Sequence, residues 1–116
     1  MGHSAFDCAA QLTMCRELLQ LSRRMSDCCG QGAWEELPRL EGERQKLMRR
    51  LFSSPIDPAI QHEVAEAVRE ILELNEGMTE ACRERQRQIN GELGTLATGR
   101  RASRAYAATE RHSRDR

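Results

Sequence analysis

An apolar rhythm of three and four residues runs from Ile60 to Leu96. Its members are Ile60, Val64, Val68 with Ala67, Ile71, Asn75, Met78, Cys82, Ile89, Leu93 and Leu96, and only Arg85 and Gln86 weaken it. This is the period of an α-helix and has none of the alternation of a strand. The spacing predicts one helix over 58–97, roughly 58 Å long at 1.5 Å per residue. In a chain of 116 residues, two shorter helices cannot cover a helix of that length. Part of it must meet another molecule or the tail of the chain.

Two shorter helices precede it. Met14, Leu18, Leu21, Met25 and Cys28 recur at the same spacing, widened by Leu12, Cys15 and Leu19, and predict a helix over 4–29. Ser4 is its N-cap candidate, and Gly30-Gln31-Gly32 is its stop. Leu37, Leu40, Leu47 and Leu51 predict a second helix over 33–52, with Arg44 in the gap of the stripe and Met48 and Trp34 beside it. Pro38 either kinks the start of that helix or moves it later, since it lacks a backbone donor. Pro55 and Pro58 break the chain, and Asp57-Pro58 reads as an N-cap followed by a first-turn proline. Thr98-Gly99 is expected to end the long helix, leaving 100–111 as a short arginine- and alanine-rich helix. The fold class is therefore all-α: an antiparallel helical bundle of three main helices, the third long, plus a short C-terminal helix, in one domain over 1–116.

Leu, Ile, Val and Phe number only 20, so the core is thin and fits a chain completed by a second copy or a partner. Net charge is zero, but residues 1–98 carry 12 Lys and Arg against 16 Asp and Glu, while 99–116 carry six Arg against two acids. No overall basic field for nucleic acid exists. No apolar run is long enough to cross a membrane. Five cysteines without a CxxC pair or a secretory leader point to free thiols in the cytoplasm. Neither Cys8 and Cys15 nor Cys28-Cys29 has zinc-ligand spacing, and they read as small apolar residues. His62 beside Glu63 has no nucleophile at helical spacing, and no phosphate loop, GxSxG or HExxH occurs. The expectation is a binding protein, not an enzyme, with no cofactor and no metal.

Glu63, Glu66, Glu70, Glu73, Glu80 and Glu84 make one side of the long helix acidic. The plain reading is a solvated face. The sharper one is a guide for a basic partner, and the arginine-rich segment 100–111 is such a partner. It would fold back along the seam, bringing Tyr106 to Val64, Val68, Ile71 and Leu72, where it would compete with a client.

Three stretches carry a resemblance: Gly32-Ala33-Trp34-Glu35-Glu36-Leu37, the proline turn into Ile60-Gln61, and Arg101-Ala102-Ser103-Arg104-Ala105-Tyr106 after Gly99. In this order and spacing, over about residues 12–110, the chain resembles the FliT family of flagellar type III export chaperones. The resemblance implies an antiparallel helical protein, often a homodimer, that binds the C-terminal segment of the filament cap protein FliD. It also implies contacts with the export ATPase and its coiled-coil associate. In some members it extends to the flagellar master transcription regulator, and the last helix modulates partner choice. Val68 and Leu72 match apolar family positions implicated in partner contact, and Tyr106 matches a tyrosine of the terminal helix. Thr79 stands where the family can carry a lysine, and Pro38, Arg49 and Arg50 are further departures. The competing readings are a helical scaffold and a regulator that sequesters a transcription factor or an export component.

Overall fold

The computed structural model describes residues 8–114, and the surroundings of side chains over 8–109. Every regular element in that span is helical. The first helix, α1 (Cys8–Gln31), is followed by a 3-10 turn, Trp34–Glu36, and then by α2 (Leu37–Leu51). A second 3-10 turn, Pro58–Ile60, leads into α3 (Gln61–Arg114). The expected start of the first helix at Ser4 lies outside the described residues.

Each boundary has a local cause. Gly32 has φ of 75°, which a residue with a Cβ rarely adopts. It lets the N–H of Ala33 reach the Cys28 carbonyl at 2.9 Å and its own N–H reach Cys29 at 3.4 Å. These two bonds close α1 as a Schellman motif. Pro38 lies in the first turn of α2, where a missing donor costs nothing, and α2 starts at Leu37 after the 3-10 turn instead of at residue 33. Before α3, the Asp57 carboxylate accepts from the Ala59 N–H at 2.8 Å, as an N-cap should.

One boundary corrects the expectation. Thr98-Gly99 does not end the long helix, and residues 100–111 continue α3 without a turn. A glycine stops a helix by taking positive φ, and Gly32 is the one described glycine that does. An interior glycine that stays helical costs about 1 kcal/mol, and continuing a helix avoids nucleating another. The expected return of the arginine-rich segment over the seam needs a turn at 98–99, and α3 has none.

The chain divides between Ala81 and Cys82 into two units. In the first, side chains of α1, α2 and α3 fill two apolar clusters. One holds Met14, Cys15 and Leu18 of α1, Leu47 and Leu51 of α2, and Ile60, Val64, Ala67 and Ile71. The other holds Met25, Cys29, Leu40 and Met78. The C-terminal part of α2 thus lies beside the N-terminal parts of α1 and α3. Between the clusters lies a polar layer. Arg44, 8% exposed, donates to Asn75 Oδ1 at 2.7 Å and to Ser22 Oγ at 3.3 Å, and pairs with Glu41 at 2.7 Å.

A second buried polar group fastens the connection between α2 and α3. Gln11, 1% exposed, donates through Nε2 to the Pro55 carbonyl at 2.8 Å and accepts the Asp57 N–H at 3.0 Å. Gln11→Ala would leave both groups half-buried without that partner and empty the space. A loss of about 2 kcal/mol in urea-unfolding free energy is expected. A loss below about 0.5 kcal/mol would mean that water replaces the amide.

Candidate functional site

The residues singled out on the long helix divide between its two flanks. Glu63 and Glu70 turn to α1. Arg16 reaches Glu63 at 3.7 Å and Arg23 reaches Glu70 at 2.6 Å. Both pairs step by seven residues, two helical turns, so α1 and α3 run side by side in the same direction here. Glu66 pairs with Arg69 along α3 at 2.6 Å. Much of the glutamate stripe is therefore spent inside the chain, closer to a solvated, ion-paired edge than to a vacant acidic track. Beneath it lies a shallow groove floored by Leu12, Cys15, Leu19 and Ala67.

The Arg23–Glu70 pair gives a pH dependence. The hydrogen bond from Arg23 holds the Glu70 carboxyl below its ordinary value. Its contribution is thus complete above the ordinary carboxylate range and lost as pH falls through the lowered folded value. Arg23→Gln is expected to lower stability slightly at neutral pH and to leave it unchanged at low pH, so that the acid limb of the stability curve becomes shallower. An unaltered acid limb would show that the pair contributes nothing.

Helical periodicity puts Val68 and Leu72 on the other flank of α3, away from Glu63 and Glu70, which is the α2 side of a three-helix unit. Val68 is partly covered and packs against the larger cluster, as does Met48 from α2. Leu72 and Phe52 follow at four residues from Val68 and Met48, so each adds to the same face of its helix. Leu72 is 57% exposed and Phe52 50%. Among the described residues of the first unit, they are the large apolar side chains left exposed. Phe52, Met48, Gln45 and Arg49 line an open apolar groove on the α2 side.

The remaining sequence candidates lie elsewhere. Val64 and Ile71, both 6% exposed, belong to the core, where α1 and α2 already fill the seam. They support α3 and offer no free surface. Tyr106 is 69% exposed on the second unit. The sequence does not single out Phe52 and Met48 as surface apolar residues, because Phe52 marks the end of α2 and Met48 only flanks the leucine stripe. Their spacing of four, off the line of Leu47 and Leu51, was the available signal.

Burial pushes the Cys15 thiol above its ordinary value, so it stays protonated and unreactive at neutral pH. Among the described residues, no three His, Cys, Asp or Glu side chains are grouped so as to hold a metal ion. No described helix is long and apolar enough to cross a membrane.

No curated protein and no solved structure matches the chain significantly. A family model does: that of the flagellar protein FliT, over residues 12–108. The match takes in most of α1, all of α2, the exposed flank at Phe52 and Leu72, and nearly all of α3. An all-helical chain with an unpaired apolar flank, matched over that span, belongs to the FliT family of flagellar chaperones.

Proposed function

We propose that the chain binds the C-terminal segment of the filament cap protein FliD on the α2-facing flank of α3, around Leu72, Val68, Phe52 and Met48. It would hold that segment in the cytoplasm until the export apparatus takes it. The observation that carries this reading is the half-exposure of Leu72 and Phe52 on a unit whose other described large apolar side chains are buried or partly covered. Isolated exposed leucines are ordinary, but large apolar residues left exposed on two helices of one unit offer anchors for an amphipathic helix. Such a helix covers its own apolar anchors at i, i+3 or i+4 and i+7 in the groove. While covered, it cannot pair with other copies before export.

The family supports three further parts of the proposal: a homodimer, contact with components of the export ATPase complex, and release of the client at that complex. An open groove with few apolar anchors fits moderate affinity, which release requires. Calorimetry with the purified cap protein is the test. A dissociation constant in the micromolar range is expected, and no binding at about 100 μM would end the reading.

A further inference from the structure

The two units carry opposite charge. Residues 1–81 hold nine Lys and Arg against 14 Asp and Glu, and residues 82–116 hold nine Arg against four acids. In the second unit the apolar rhythm of α3 has no cover: Leu93 is 59% exposed and Leu96 57%. Ile89, Leu93, Leu96, Arg100 and Arg104 follow at steps of four, three, four and four, so they share one helix face. Arg101 borders it. Among the described residues, no ion pair or hydrogen bond engages the side chains of Arg100, Arg101 or Arg104. By contrast Arg16, Arg23, Arg39, Arg44 and Arg69 of the first unit all pair with glutamates.

We propose that this face of the second unit, Ile89 to Arg104, is a docking surface for an acidic amphipathic helix of another protein. The apolar half takes the partner's leucine-like anchors, and the arginines, one turn further on, take its carboxylates. Charge decides the occupant. A second copy of the same unit would set arginines against arginines. The glutamates of a second copy's first unit at positions 63, 66 and 70 already have Arg16, Arg69 and Arg23. Nucleic acid would use the arginines and leave Leu93 and Leu96 wet. A membrane surface needs a longer apolar face, with cations on the opposite side instead of in line with the leucines. The surface shares no residue with the flank at Leu72 and does not depend on the cap-protein reading.

The probe is a fluorescent peptide about six turns long, with leucine at every third or fourth position and glutamates along the border. With the full chain, fluorescence anisotropy should report a micromolar dissociation constant that rises about tenfold from low to 0.3 M salt. Arg100→Glu/Arg104→Glu should weaken binding at least tenfold and gain binding to the same peptide with lysines in place of glutamates. Both side chains are exposed, and that gain shows that the variant is folded. Leu93→Ala/Leu96→Ala should weaken binding about fivefold or more. The inference is overturned if the glutamate and lysine peptides bind the wild type equally. It is also overturned if the arginine variant leaves affinity unchanged, or if anionic phosphatidylserine vesicles bind and the peptide does not. Cap-protein binding should not change in the arginine variant.

Discussion

Replacing Arg44 by alanine should remove about 3 kcal/mol of stability, while replacing it by methionine should remove about half as much. Both outcomes follow from the position of this residue between two apolar clusters. Its guanidinium joins all three helices of the first unit, through Ser22 on α1 and Asn75 on α3. Alanine deletes the stem that fills the layer, which leaves a cavity. It also strips Ser22, Asn75 and the half-covered Glu41 of their partner, and an unmade buried polar contact costs about 1–3 kcal/mol. Methionine keeps most of the volume and removes a charge whose burial was itself expensive, but it strips the same three partners, so it recovers only the cavity part of the loss. The native layer is imperfect, since Arg44 Nε is buried without a hydrogen-bond acceptor. What methionine should lose is specificity. With the polar layer gone, the clusters around Leu18 and around Met25 merge, and α2 can slide by a turn without stranding a charge. Urea unfolding of the two variants checks the energies, and amide exchange in α2 checks the sliding. If alanine costs less than about 1 kcal/mol, the layer is not what holds the helices in register. If methionine costs as much as alanine, the stem fills no space that matters and the polar contacts carry the whole effect.

The same layer shows what could be read from the chain and what could not. Arg44 and Asn75 stand on apolar stripes, so their inward placement is legible as two polar interruptions of a regular pattern. Ser22 and Gln11 are not. Hydropathy places them outside, and only the fold supplies the guanidinium and the loop amide and carbonyl that satisfy them. The cost was a slight rotation of α1: Ser22 and Cys29 are buried where Leu21 and Cys28 had been read as the stripe. The end of the third helix failed for a different reason. Gly99 is a breaker by propensity, yet propensity is a weak local term beside the continuity of a helix already formed. The candidate site failed in part because periodicity marks an apolar face without saying what covers it. Val64 and Ile71 keep the same rhythm as Leu93 and Leu96, but the former meet α1 and α2. Leu72, one turn off the core line, was found only through its match to family positions.

Removing Phe52 and Leu72 together should weaken cap-protein binding about a hundredfold and leave the fold intact. The magnitude comes from two apolar anchors, each worth about 1.5 kcal/mol or more when covered by a partner helix. The selectivity comes from their exposure. Each is half in water before binding, so Phe52→Ala/Leu72→Ala takes little from the folded core, and even a small gain in stability is consistent. Val64→Ala is the contrasting variant. Its side chain is 6% exposed within the larger cluster, and its loss should cost about 2 kcal/mol of stability. It should still bind the client at temperatures where it remains folded. Thermal unfolding and calorimetry on the same samples separate the two effects. If Val64→Ala abolishes binding while folded, the client reaches the seam under α1 and the first unit must open to admit it. If Phe52→Ala/Leu72→Ala binds like the wild type, the α2-facing flank is an ordinary wet surface and the client lies elsewhere. A result between these, with Leu72 mattering and Phe52 not, would narrow the groove to α3 alone. Val68 would then be the next residue to bear the load, because its side chain lies one turn before Leu72 on the same flank.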